Sequence, residues 1–483
     1  MILGRTGLAI SQLGFGSYRI AQSEAHAKAL RQALASGVNL IDTSSNYTDG
    51  ESESLIGLVI EEAQRQDMLR REDVIIVSKV GYVQGKNMVL VKQSAREGRP
   101  YADVVEYDAD CWHCMSPEFI SDQLTLSLRR LRIAAIDVYL LHNPEYFFTD
   151  ALRREPNANL AALRHTFYER IRRAFVRLEE EADKGRIRFY GVSSNTFVCP
   201  SGEGEFASVA RMLEIAREIG CERGSLDGHR FGVIQLPANL IEHGAFTELN
   251  NDGRTAIAFA AAANIGVLVN RPLNAFTPSG LIRLADFAIP ELTTSLGEQI
   301  IELERLESEL PRKILPLIPN ERDRAFAVEA FCWSAWFRDI ASRHLPPEHW
   351  PKLEHEVLRP HLTNAFRHFT QLLSEHPVEW AAWRNAYLPQ ALQTLQIARA
   401  EALKVHQLKS DAIAAAIAPF LPESLATATL ARKALAVVTS QPGVSCVLNG
   451  MRHRVYVDDA AAVMHTLPFQ VDPSLFRAVG RLD

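Results

Sequence analysis

Residues 39–57 read NLIDTSSNYTDGESESLIG. The stretch opens as an apolar strand and stops at Asp42. It crosses a polar turn that holds Tyr47, and after Gly50, Glu51 and Glu53 it resumes as a second apolar run. A strand that ends in an acid and a phenol just before a helix is one βα unit whose turn is free to carry chemistry instead of core. What that turn can do depends on what stands at the ends of the other strands.

Seven further β-rich runs share its character. They are LGFGSY (13–18), DVIIVSK (73–79), IDVYLLH (136–142), IRFYGVS (187–193), FGVIQL (231–236), IGVLVN (265–270) and GVSCVL (443–448), and the quoted strand itself begins at GVNLID (37–42). Between them lie segments of helical period such as EAHAKALRQALASG and SPEFISDQLTLSLRRL. The runs are continuously apolar, as parallel strands buried on both faces must be. Eight such units predict an α/β fold, a (β/α)8 TIM barrel. An open doubly wound sheet would usually bring a glycine-rich phosphate loop after an early strand, and GFGSY lacks that spacing.

Three connections exceed the usual ~2–6 residues: 80–116, 143–164 and 271–425. Each leaves the C-terminal end of a strand, which in a barrel is the face that carries the active site. The expected organisation is therefore a first barrel part at 1–284, a helical insertion over the C-terminal face at 285–425, and completion of the barrel at 426–483. Within the insertion, SLGEQIIELERLESEL puts Ile300, Leu303, Leu306 and Leu310 on one stripe. Five of the six tryptophans fall there (Trp333, Trp336, Trp350, Trp380 and Trp383), as packing for the added bundle or as an aromatic wall for a substrate.

Composition narrows the function classes. The chain has 483 residues, 47% hydrophobic and 23% charged, with a net charge of −6. That balance suits a large soluble core and argues against a nucleic-acid surface. Six cysteines in such a length fit a reducing compartment. The first residues carry a charge and a glycine where a signal peptide would place its apolar core, and no run is long enough to span a membrane. The expectation is a cytoplasmic protein with neither nucleic-acid nor membrane partners.

Polar residues at the ends of strands two, three and four are Asp42 with Tyr47, Lys79, and His142. A barrel brings neighbouring strand ends to one spot. There an ammonium beside the phenol is expected to lower its pKa from ~10, the aspartate to hold the lysine, and the histidine to orient a carbonyl oxygen. Such a group suits protonation of the alkoxide formed when hydride attacks C=O. The protein supplies no hydride, so a nicotinamide cofactor is implied.

At this point the sequence resembles the aldo-keto reductases. LGRTGLAISQLGFGSYRI is similar to their N-terminal β-hairpin and first strand, and NLIDTSSNYTDGESESLIG to their second-strand signature. VIIVSKVG and IDVYLLHNP resemble the lysine and histidine strands. GVSSNTF, VIQLPANLIE and GVSCVLNGMRHRVYVDD resemble the fifth, sixth and last strand ends, so that about 300 residues are covered in order. The resemblance implies a catalytic tetrad of Asp42, Tyr47, Lys79 and His142, no metal, and NAD(P)H-dependent reduction of an aldehyde or ketone, or the reverse oxidation. It implies cofactor contacts at Ser193, Ser194, Asn195 and Gln235, then at Asn270, Arg271, Pro272 and Leu273, and finally at Gly450, Met451 and Arg452. Asn270 stands where many members carry a stacking aromatic, and Ala460 where an asparagine often meets the adenine. Arg452 is the obvious partner for a 2′-phosphate and favours NADP(H) over NAD(H). The expected substrate is a small carbonyl or sugar-like molecule.

Weaker signals remain. Cys111, His113 and Cys114 in CWHC have the spacing of half a zinc site, but no second pair follows, and a folded loop with Trp112 over the pocket mouth is the plainer reading. His361 and His368 share a helix face and read as solvated. Glu145, Tyr146, Phe147 and Phe148 follow the histidine strand and either line the substrate side or anchor the second insertion. The alternative to an enzyme is a nucleotide-binding regulatory or partner-docking barrel with little turnover.

Overall fold

The structure, a computed structural model, describes residues 1–278, 280–343, 345–347, 349–465 and 468–481. Eight parallel strands close into a barrel: β1 (Leu13–Gly16), β2 (Leu40–Asp42), β3 (Ile75–Val80), β4 (Ile136–His142), β5 (Ile187–Ser193), β6 (Phe231–Pro237), β7 (Gly266–Asn270) and β8 (Cys446–Gly450). They pair in chain order, and β8 returns to β1 through Leu13↔Val447 and Gly16↔Gly450. A helix follows each strand: Glu24–Ala35, Glu51–Arg65, Pro117–Leu131, Leu160–Asp183, Val209–Glu222, Ala256–Ala262, Leu430–Thr439 and Arg454–Met464. Several begin where the sequence provides an N-cap. The hydroxyls of Ser23, Ser116, Ser208, Thr255 and Thr429 each accept a backbone N–H three residues on.

Two faces of each strand build two cores. Leu40, Ile75, Val77, Val138, Leu140, Val233, Leu268 and Leu448 point into the barrel, where they meet Leu3, Leu8 and Ile10 of the N-terminal segment. Alternate residues such as Ile41, Ile76, Leu141, Val192 and Ile234 point out to the helices. The N-terminal hairpin is short, with one antiparallel bridge, Ile2 to Ala9. The two-residue strand period then fixes what the barrel interior meets at its C-terminal end. Asp42 continues the row of Leu40, Lys79 that of Ile75 and Val77, His142 that of Val138 and Leu140, Gln235 that of Val233, and Asn270 that of Leu268. On β5 the row passes through Gly191, at a bulge. A Cβ there would lie 1.7 Å from the Val233 carbonyl oxygen, so only glycine lets β5 and β6 approach.

The first connection is a folded element. Tyr82–Val83 pairs antiparallel with Trp112–His113, and the helix Gly85–Arg96 lies between them in sequence. The second holds the helix Tyr146–Arg154.

The chain divides into two compact units, Met1–Phe276 with Ala416–Asp483, and Thr277–Ala415. The second is helical: Leu296–Lys313, Glu321–Ala330, Trp333–Ser342, Arg359–Leu372 and most of Pro377–Ile417. Ile300, Leu303, Leu306 and Leu310 are buried as one stripe, and a capping box of Ser295 and Glu298 starts their helix. Trp333, Trp350, Trp380 and Trp383 are buried in the unit's own core. Trp383 stacks on Trp380 and Tyr387, and its Nε1 donates to the Leu306 carbonyl. The two histidines of one helix face are engaged separately: His368 Nε2 with Asp323 at 2.9 Å, and His361 against the Trp333 ring.

Candidate active site

Lys79 is wholly buried. Its Nζ donates to Asp42 Oδ2 at 2.7 Å, to the Thr43 carbonyl at 2.9 Å and to Tyr47 Oη at 3.3 Å. The other Asp42 oxygen accepts from Gln235 Nε2 at 2.8 Å. The tyrosine and histidine rings stand edge to face, with centroids 6.0 Å apart. Four residues from three strand ends and one turn thus meet at one place. The turn is strained where it presents Tyr47, since Thr48 and Asp49 both have positive φ. Such values are costly for a β-branched residue and cluster at functional sites. Thr48 Oγ1 holds the turn by donating to the Ile20 carbonyl at 2.6 Å.

Electrostatics alter one expectation. Burial, and then the Asp42 carboxylate, push the Tyr47 phenol well above its ordinary value. Lys79 does not lower it as the sequence suggests, because its charge is spent on Asp42 and the site is desolvated. Tyr47 is therefore a protonated phenol at neutral pH and a proton donor from the outset. Burial also lowers the Lys79 pKa, while Asp42 acts to raise it. Burial and the Lys79 charge hold His142 well below the usual imidazole range, so the ring is neutral.

The expected cofactor contacts sort into groups. Ser193 Oγ donates to Gln235 Oε1 at 3.0 Å, and Asn270 Nδ2 reaches the same oxygen at 3.2 Å. Gln235 is thus tied to Asp42 on one side and to two neighbours on the other. Ser194 pairs with Thr196, and the Asn195 backbone N–H donates to Glu145 Oε1 at 2.7 Å. Arg271 forms an ion pair with Glu242 at 2.7 Å, Pro272 is buried and Leu273 packs on the core. Gly450 ends β8 with open space where a side chain would stand, Met451 is buried, and Arg452 is half-buried beside His453 and Arg454. No side chain caps the helix that begins there. Ala460 is a core residue of that helix.

A nicotinamide dinucleotide fits these residues on two observations. Asn270 Oδ1 and Arg271 Nε are buried without a partner, as acceptor and donor beside the ends of β6 and β7. The helix start at Arg454, next to Arg452, has no side-chain cap, which suits an anion there.

Other residues here stand out in the sequence only as weaker signals, and sequence reasoning misses Tyr82. Tyr82 packs edge to face on His142 at 4.7 Å, and on Tyr146. His113 Nε2 donates to the His142 carbonyl at 2.8 Å, and Gly81 makes the room. Burial drops His113 to about 4. Trp112 faces Lys92 across 4.9 Å, and Cys114 is buried with Sγ near Ser116. Among the described residues no group of three or more histidine, cysteine or acidic side chains could hold a metal. Glu145 is 4% exposed with Oε2 unpartnered, and burial lifts its carboxyl to about 7. The sequence offered no periodic signal for these roles, because they sit in long connections whose strands and helix are too short to show a period.

Residues 12–198 match the family model described as the Aldo/keto reductase family. The chain is 30% identical over 149 residues to the NADH-specific methylglyoxal reductase of Escherichia coli (strain K12), which covers 29% of this chain and 40% of that protein. It is 30% identical over 148 residues to a probable voltage-gated potassium channel subunit beta of Oryza sativa subsp. japonica, covering 30% and 37% respectively. The chain spans less than half the length of these curated relatives. Among solved structures, the holo form of an aldo-keto reductase from Bacillus halodurans aligns over 100% of this chain and 95% of its own, at 15% identity and a TM-score of 0.48. No helix among the described residues is long and apolar enough to cross a membrane.

Proposed function

We propose that the chain is an aldo-keto reductase-type, NAD(P)H-dependent oxidoreductase that reduces the carbonyl of an aldehyde or ketone to the alcohol, or runs the reverse oxidation; the match of residues 12–198 to the family model supports this reading. The observation that carries the reading is the Lys79 ammonium bonded at once to Asp42 and to Tyr47 Oη, with the His142 ring beside the phenol. A nicotinamide cofactor held at this site would supply the hydride for the carbonyl carbon. Tyr47 gives its proton to the carbonyl oxygen as negative charge develops there. Lys79 then faces the phenolate left behind, and Asp42 keeps the ammonium oriented. His142 holds the oxygen in reach of Tyr47.

Ser193, Gln235, Asn270 and Arg271 would hold the nicotinamide side, and Arg452 with the helix start at Arg454 the phosphate side. Arg452 favours NADP(H), since a guanidinium suits a 2′-phosphate. The name of the Escherichia coli relative points to NADH, so both must be titrated. That relative also makes methylglyoxal a first substrate to try. A docking or regulatory role is the second reading, favoured by the similarity to a channel beta subunit.

The test is fluorescence titration with NADPH and NADH, followed by absorbance loss of the reduced cofactor across aldehydes, ketones and sugars. Binding with turnover that is lost in Tyr47→Phe supports the enzyme. Full turnover in that variant removes Tyr47 from its role. Binding without turnover on any substrate favours the regulatory reading.

A further inference from the structure

A line of polar side chains runs from His142 into the Tyr47 turn and the first long connection. His142 Nδ1 is 3.1 Å from Ser44 Oγ, and Ser44 Oγ is 2.7 Å from Asn46 Oδ1. Asn46 Nδ2 is 3.0 Å from Gln84 Oε1, and the Gln84 side chain also bonds the Cys111 sulfur. Ser44 is buried, and Asn46 and Gln84 are half-buried. Ser44 and Asn46 belong to the turn that presents Tyr47. Gln84 and Cys111 belong to the first long connection.

Each link has one proton to place, and a neutral imidazole has one N–H to give. The line therefore has two self-consistent polarities. In the one this geometry records, Asn46 donates to Gln84, Ser44 donates to Asn46, and Ser44 must then accept from His142. A weaker acceptor for the Ser44 proton, the Lys79 carbonyl at 3.5 Å, enforces the same outcome. His142 then carries its proton on Nδ1, and Nε2 is a bare acceptor. In the other polarity both amides are turned over, Ser44 donates to Nδ1, and Nε2–H is a donor. A carbonyl oxygen can bind only to the second form.

We propose that Ser44, Asn46 and Gln84 are positioning residues that set which nitrogen of His142 carries the proton, and so whether His142 offers the substrate oxygen a donor or an acceptor. Binding of a carbonyl selects the polarity with Nε2–H, and the two amides turn over to allow it. The inference rests on the reading of His142 as the residue that orients the substrate. The neutral state of His142 is consistent with it, since only a neutral ring has a tautomer to set.

Carboxylates in place of the amides separate the polarities, because an ionised acid only accepts. Asn46→Asp must accept from Ser44, and Gln84→Glu must accept from Asn46. Both lock the bare Nε2, whereas Asn46→Ala cuts the line and leaves His142 free to respond.

The experiment is nitrogen-15 NMR of histidine-labelled full-length protein near pH 8, with benzaldehyde and NADP⁺ added, and His142 assigned by its loss in His142→Asn. Wild type and Asn46→Ala are expected to move Nε2 into the protonated range on addition of the aldehyde. Asn46→Asp and Gln84→Glu are expected to stay in the unprotonated range and, in steady state, to lower kcat for reduction by roughly tenfold or more. Gln84→Glu stands alone should Asn46→Asp fail to fold. An Nε2–H signal in either acid variant, or a doubly protonated ring, overturns the relay. Because the tautomer is read without turnover, absence of reductase activity would count against the proposed reaction and leave the relay decided by the spectra.

Discussion

Lys79 shows how burial gives an ordinary side chain a task. An ammonium with no exposed surface persists only if its donors are all matched, and Asp42, Thr43 and Tyr47 match all three. Replacing Tyr47 with Phe leaves the Asp42 and Thr43 bonds in place. It is expected to cut turnover by ~10²–10⁴-fold with nucleotide affinity retained, which steady-state rates and fluorescence titration can read. The raised pKa of Tyr47 sets a direction. The phenol is protonated throughout the neutral range, so reduction should be nearly flat with pH there. Oxidation needs the phenolate, and its rate should climb as pH rises. An oxidation rate that falls with rising pH would reverse the assigned proton flow.

Glu145 gives a second pH-dependent prediction, on stability. Its folded value of about 7 lies above the ordinary 4.5. The folded state thus binds more protons between the two values, and stability drawn from this group is full below about 4.5 and lost as pH rises through about 7. Glu145→Gln, which can still accept from Asn195, should raise the free energy of unfolding at pH 8 by roughly 3 kcal/mol at most, and change it little at pH 4.5. An equal shift at both pH values would place the cause elsewhere.

Elements meet the site through a few tight contacts. The helix Glu51–Arg65 starts inside the polar turn, and its Glu53, fully buried, accepts from Ser78 Oγ of β3 and from Arg130 Nε of the helix Pro117–Leu131, both at 2.6 Å. One carboxylate therefore ties three elements. Glu53→Ala leaves one buried and one partly buried donor unmatched and should cost about 3 kcal/mol in chemical denaturation. A loss within experimental error would show that water replaces the pair. Gly81 does a different job between β3 and the small strand Tyr82–Val83. An added Cβ would lie 2.5 Å from His113 Nε2 and 2.6 Å from the His142 carbonyl oxygen. Gly81→Ala should push His113 off that carbonyl and cost ~1–3 kcal/mol, and the His113 ring resonances would report the displacement.

At the level of the complete chain, the unit Thr277–Ala415 has a hydrophobic core of its own, and its aromatic residues make it observable. Trp112 is the one tryptophan outside it, so intrinsic fluorescence reports chiefly on this unit. Trp383→Ala removes a ring stacked on two others and the bond to Leu306. It should lower the fluorescence-detected unfolding midpoint of the unit, through a loss of ~3–5 kcal/mol in unfolding free energy. An unchanged midpoint would mean that Trp383 is not part of that core.

The linear pattern was enough for the eight strands, the helical character of the insertion and the meeting of Asp42, Tyr47, Lys79 and His142 at one place. Continuous apolar runs report burial on both faces, and a period of two carries the inward row of each strand out to its last residue. Asp42, Lys79, His142, Gln235 and Asn270 could be found that way because each stands in phase with buried neighbours. Ser44, Asn46, Gln84, Tyr82 and His113 could not. They lie in turns and connections, where no period links sequence position to direction, and apart from the Ser44–Asn46 pair their partners are tens of residues away. The sign of the Tyr47 shift was equally out of reach, because it depends on whether the phenol feels Lys79 or Asp42 and desolvation more strongly. That balance exists only once three chain segments have met in a space that excludes water.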